Sequence, residues 1–101
     1  MFFIYILYSC SADKYYVGYS ADPWKRVQEH NSVKHPTFTS KYRPWTLRAV
    51  FKISQNESDA LRLERILKRQ HSKKLLERLI DPSFIPDGQL VELLRFPHLR
   101  D

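Results

Sequence analysis

The chain is short of the residues that staple or bend small proteins. Its one cysteine, Cys10, excludes an internal disulfide and any zinc site of the multi-cysteine kind, and is read as a turn or strand-end thiol. Two glycines in 101 residues exclude collagen-like repeats and Gly-rich linkers. No apolar run approaches the roughly 20 residues that a membrane-spanning helix needs. The N-terminal stretch MFFIYILYS lacks the basic n-region and the small-residue cleavage site of a signal peptide. These absences lead to the expectation of a soluble, cytoplasmic protein with no membrane partner. What is present, 43% hydrophobic and 14% aromatic residues, suits one compact domain.

Charge is unevenly placed. The net charge of +6 divides into +1 over residues 1–40, +7 over 41–80 and −2 over 81–101. A basic block of this kind fits a polyanionic partner, because Lys and Arg that neutralise phosphates release condensed counterions. It is also compatible with an ordinary solvated face.

Phe2 to Ser9 is β-branched and aromatic with little alternation, as in a strand covered on both faces. After a polar turn, Lys14-Tyr15-Tyr16-Val17-Gly18-Tyr19 reads as a second strand at hairpin distance. A turn centred on Cys10 and Ser11 would bring Tyr5 opposite Tyr16, although tyrosines also simply fill strands. Asp22-Pro23 is a helix start, and the helix should run to about Asn31 with Trp24 and Val27 as core anchors. Arg26 and His30, four apart, share a second face of it; they are either two exposed polar groups or a pair converging on one ligand.

Residues 32–44 mix prolines, hydroxyls, aromatics and bases and read as a loop, with Lys34, Lys41 and Arg43 suited to phosphates and Phe38 or Tyr42 to stacking on a base. Strand character returns from Trp45 to Ile53, with Leu47, Ala49, Phe51 and Ile53 expected on one face. A helix follows over about 57–79. Ala60, Leu63, Ile66 and Leu67 form its apolar stripe, with Arg62, Arg65, Arg69 and Lys73 opposite. Glu64 sits at the edge of that stripe, with Lys68 four residues on; alone, the pair reads as a surface ion pair. Gln70-His71-Ser72 is a candidate interruption, Ser72 capping a continuation. The acidic, turn-rich tail from Asp81 onward can form a short helix through Leu90 to Phe96. The organisation expected is therefore an α+β domain over 1–80, a small three-stranded antiparallel or mixed sheet flanked by helices, and a tail over 81–101.

In this order, Ile4-Tyr5-Ile6, Tyr16-Val17-Gly18, the helix with Arg26 and His30, a third strand and the helix with Glu64 resemble the GIY-YIG nuclease family, most of all its small stand-alone bacterial members. The likeness covers residues 2 to 80. Phe3 stands where the first signature has glycine and Val17 where the second has isoleucine; the asparagine used by some members has no matched position. The resemblance implies catalytic roles for Tyr5, Tyr16, Arg26, His30 and Glu64, Glu64 being the ligand of Mg²⁺ or Mn²⁺.

The chemistry agrees with that set. Phosphodiester hydrolysis needs a deprotonated water, cationic support for the phosphate and a stabilised leaving group. Arg26 offers planar donors to phosphate oxygens. Mg²⁺ keeps waters and takes ligands from substrate, so one carboxylate can suffice. Tyr5 is a poor base unless neighbouring charge favours phenolate or its proton is passed on, with His30 or Tyr16 assisting. The expected function is a metal-dependent endonuclease acting on DNA, RNA remaining open, with Lys41, Arg43, Arg62, Arg65, Lys68, Arg69 and Lys73 as nucleic-acid contacts. Selection by structure rather than sequence is expected, and both monomer and weak dimer remain open. The alternatives are a nucleic-acid-binding module on the same scaffold that does not cleave, and a protein-interaction domain.

Overall fold

A computed structural model describes residues 1–32, 41–70 and 72–99. Strand β1 (Phe2–Ser9) pairs antiparallel with β2 (Lys14–Ser20) on one side and β3 (Trp45–Ser54) on the other. A fourth strand, β4 (Leu94–Phe96), pairs antiparallel with β3, giving the order β2-β1-β3-β4. The sheet thus has four strands where three were expected. The added one comes from the tail, where a single 3₁₀ turn over Gly88–Leu90 and a strand replace the expected short helix.

The central position of β1 explains its lack of alternation. Ile4, Ile6, Val17, Ala49 and Phe51 face the helices α2 (Glu57–Gln70) and α3 (Lys73–Ile80), packing on Leu63, Leu67, Leu76 and Leu79. Tyr5, Leu7, Trp45 and Val50 face the other way, against Trp24 and Val27 of α1 (Pro23–His30). Both faces of β1 are therefore dry, and contrast between odd and even positions has no physical role there.

Two expectations about register are corrected. The hairpin turn takes four residues, 10–13, because Ser9 pairs with Lys14, and Asp13 adopts φ 51°, a left-handed conformation that a short polar side chain tolerates. Tyr5 consequently lies opposite Gly18, and Tyr16 opposite Leu7. The slip is two residues, an even number, so Tyr5 and Tyr16 keep a common face. In β3 the pairing shifts between Ile6 and Leu7, which oppose Ala49 and Leu47. This bulge at Arg48 turns Leu47 to the Trp45 and Val50 face instead of the Ala49 face.

The helix expected over 57–79 is two helices. Ser72 caps α3, its hydroxyl accepting from Leu75 N at 3.2 Å. No described helix is long and apolar enough to cross a membrane.

One side chain ties α1 to the sheet. Asn31 donates through Nδ2 to the Trp45 carbonyl at 2.9 Å and accepts from Trp45 N at 2.6 Å, satisfying both backbone groups of a buried strand start. Asn31→Ala removes both bonds, so urea denaturation should show a loss of about 2–3 kcal/mol.

Candidate active site

The Tyr5 side chain points from the middle of the sheet toward α1, and its ring takes the space that Gly18 leaves. A Cβ at Gly18 would lie 2.5 Å from both Cζ and Oη of Tyr5, so only glycine fits opposite this tyrosine. Tyr5 is 1% exposed, and a phenol so buried requires a partner. It finds one in His30, whose Nε2 lies 3.1 Å from the Tyr5 hydroxyl and which is itself buried at the end of α1.

Asp22 and Pro23 set the start of that helix, the Asp22 carboxylate accepting from Lys25 N at 3.0 Å. One turn before His30, Arg26 lies against the same phenol and pairs with Glu29 at 3.2 Å. Tyr16 packs on His30 with ring centroids 4.8 Å apart and stands 6.3 Å from the Tyr5 ring. Glu64 reaches the same region from α2, contributing negative potential at Tyr5 while its side chain remains only 12% exposed.

Four of the residues assigned by motif, Tyr5, Tyr16, Arg26 and His30, therefore meet around one phenol, and Glu64 is linked to them through its charge at Tyr5 and through Lys68, which lies over the Tyr16 ring. Arg26 and His30 are not two exposed polar groups: His30 is buried, Arg26 is half exposed, and both lie against Tyr5.

The electrostatics run in opposed directions. Burial, reinforced by Tyr16 and opposed by Arg26, pushes the Tyr5 hydroxyl up to about 12. Burial also holds His30 below the ordinary imidazole value, the Arg26 charge adding to the shift and Glu29 opposing it. Arg26 is raised: burial works against its charge, but the Tyr5 phenol and the Glu29 carboxylate outweigh it. At neutral pH the cluster holds a protonated phenol, a neutral imidazole and a guanidinium. With its proton on Nδ1, His30 offers Nε2 as an acceptor to the Tyr5 hydroxyl.

The expected nucleic-acid contacts are more dispersed. Arg62 is engaged by Glu92 at 2.7 Å and Asp59 at 3.7 Å, and Lys73, on a separate helix, pairs with Asp13. The single four-residue basic face is thereby reduced: among the described residues, exposed Arg65 and Arg69 make no ion pair. Lys68 is held by Glu64 at 3.0 Å. Lys41 lies 5.2 Å from the centroid of the Tyr42 ring, and half-buried Arg43 turns Nη1 inward, where it has no hydrogen-bond partner among the described residues. Lys34 and Phe38 fall outside the described residues.

A role for Phe3 and the tail could not be read from motifs. Phe3, standing where the family signature has glycine, meets Trp24 at 5.9 Å and Phe96 at 5.5 Å between ring centroids, both edge-on. Trp24 Nε1 donates to the His98 carbonyl at 2.8 Å. Positions 3, 24 and 96 lie far apart in the chain, and nothing in the sequence brings the three together.

The model of the GIY-YIG catalytic domain matches residues 1–77. Among solved structures, the chain is similar to the UPF0213 protein BH0048 from Bacillus halodurans, determined by solution NMR. The two share 27% identity over 91% of this chain and 93% of that one, with a TM-score of 0.48. No curated protein matches the chain.

The depressed His30 value makes stability depend on pH with a definite sign. The unfolded chain takes up the imidazole proton near pH 6.5, before the folded protein does, so His30 contributes stability that is complete above about 6.5 and lost as pH falls through its lower folded value. Urea titrations between pH 7.5 and 5 should show this slope, and His30→Gln should flatten it. His98 is shifted the same way, by burial and then by Arg48 and Arg95, and accounts for slope that survives.

Proposed function

Because the chain belongs to the GIY-YIG family, whose catalytic domains are nucleases, we propose that it is a divalent-metal-dependent endonuclease hydrolysing DNA phosphodiester bonds and selecting substrates by structure rather than sequence. The observation that carries this reading is the Tyr5 hydroxyl 3.1 Å from a neutral imidazole with a guanidinium against the same phenol. A core tyrosine needs one hydrogen-bond partner; it does not need a half-exposed arginine against the same hydroxyl as well.

A phenol pushed up to about 12 is rarely phenolate at neutral pH, so Tyr5 acts best as a relay. As its oxygen takes a proton from the attacking water, its own proton passes to His30 Nε2, leaving an imidazolium and a hydroxide directed at phosphorus. Arg26, the solvent-facing member of the cluster, binds the phosphate and carries the charge that builds on it. Tyr16, whose ring lies 4.8 Å from that of His30 at an interplanar angle of 59°, restricts the imidazole and keeps Nε2 aimed at the phenol.

The donor set fits a hard divalent cation. Glu64 supplies one carboxylate, and no group of three or more His, Cys, Asp or Glu is placed to cage an ion among the described residues. Mg²⁺ or Mn²⁺ suits such a site because either ion retains waters and takes further ligands from phosphate. When bound, it supplies Lewis-acid stabilisation of the phosphate and the leaving oxygen. Arg65 and Arg69, exposed on α2, provide backbone contacts, which position a nucleic acid without reading its sequence.

With labelled flap, branched, duplex and single-stranded DNAs, Tyr5→Phe should lower the single-turnover rate by roughly 10²-fold or more at unchanged folding. Glu64→Ala should abolish Mg²⁺-dependent cleavage and leave binding intact or slightly tighter, since a negative charge near the phosphates is gone. Full activity in Tyr5→Phe would reduce that tyrosine to core packing. For binding, Arg65→Ala and Arg69→Ala should each make the salt slope shallower by about one for every DNA tested, whereas Arg62→Ala, already engaged by two carboxylates, should change it less.

A further inference from the structure

Lys68 is an exposed lysine that the relay does not use, yet it joins two members of the site. Its Nζ lies 3.0 Å from Glu64 Oε1 and 5.5 Å from the centroid of the Tyr16 ring. It also lines, with Tyr16, Leu67, Arg69 and Leu76, a cleft between the β2 edge and the α2–α3 junction. The two partners of the ion pair differ sharply in environment: the lysine side chain is 49% exposed and the glutamate only 12%.

An i,i+4 pair on an open helix face contributes little. Here the carboxylate is mostly covered, so it depends on a counter-charge more than a solvated glutamate does. The oxygen that Lys68 occupies belongs to the one carboxylate offered to a divalent ion, and an ammonium and a divalent cation at one carboxylate repel each other strongly at such short range.

We propose that Lys68 is a positioning residue that competes with the divalent cation for Glu64, so that the ion is held firmly only once the ammonium has moved away from Oε1. The proposal rests on Glu64 being the cation ligand. The Tyr16 ring gives the displaced ammonium a second, cation–π partner within the cleft, and Arg69 beside it makes the same place attractive to a phosphate. A nucleic-acid phosphate that draws Lys68 off Glu64 thereby raises the site's affinity for the cation, and by linkage the cation raises the affinity for nucleic acid. The pair acts as an interlock: the cation is favoured when substrate is present.

The test is direct Mn²⁺ titration of the full chain without nucleic acid, read by the electron paramagnetic resonance of free Mn²⁺. Lys68→Gln should bind Mn²⁺ about tenfold more tightly at low salt, the scale expected for removing one charge at this range. Lys68→Arg, which keeps the charge, should bind as the parent does. Unchanged or weaker binding in Lys68→Gln, or equal tightening in Lys68→Arg, overturns the competition. Glu64→Gln separates the two ideas. If it loses Mn²⁺ binding while Lys68→Gln is unchanged, the competition alone fails; if it binds as the parent does, the metal assignment fails and the competition with it.

Discussion

A buried tyrosine must hydrogen-bond its hydroxyl, and the pairing of Tyr5 with His30 places demands on much of the molecule. The ring reaches α1 only because its cross-strand neighbour, Gly18, has no side chain. His30 can meet it only if α1 lies flat on that face, which Trp24 and Val27 secure by packing and Asn31 by clamping the Trp45 backbone. The helix in turn is aimed by its Asp22-Pro23 start. A glycine, an asparagine and a helix cap, none of which hydrogen-bonds the phenol, thus fix one 3.1 Å distance.

The same burial that positions the phenol makes it a reluctant acid. Desolvation acts on both rings, raising Tyr5 and lowering His30, and in each case it favours the neutral form. Both rings therefore rest neutral, and a proton passed to His30 creates an imidazolium that burial and Arg26 oppose and that only negative charge developing nearby can offset. Arg26 supplies the positive charge from the solvent side, where desolvating it costs less.

Much of this could be read from the chain. The unalternating β1, the Asp22-Pro23 start and the Ser72 cap carry local signals, and local signals survive folding, whereas Tyr5, Tyr16, Arg26, His30 and Glu64 stood out only together, through the family resemblance. What stayed hidden depended on distant partners. The four-residue hairpin turn relies on Asp13 taking a left-handed conformation, for which no glycine marks the place. The Arg48 bulge turns Leu47 over without any change in the apolar pattern. Strand β4 is three residues long, too short to show a period, and forms because β3 offers it an edge. Arg62 and Lys73 looked like free cations since Glu92 and Asp13, their partners, lie 30 and 60 residues away. For the same reason, Phe3 read as an isolated departure from the signature, although it is one wall of an aromatic cluster closed by Phe96.

That cluster joins the start of the chain to its far end. Phe3 belongs to the first strand, Trp24 to the helix that bears Arg26 and His30, and Phe96 and His98 to the last described segment. Tyr5, Tyr16, Arg26 and His30 all lie early in the chain, whereas the carbonyl that holds Trp24, on the helix bearing two of them, comes from His98, 74 residues after it. The geometry around Tyr5 thus leans on contacts of very long sequence separation, and a chain cut before Phe96 would leave the aromatic cluster on Phe3 and Trp24 open on one side.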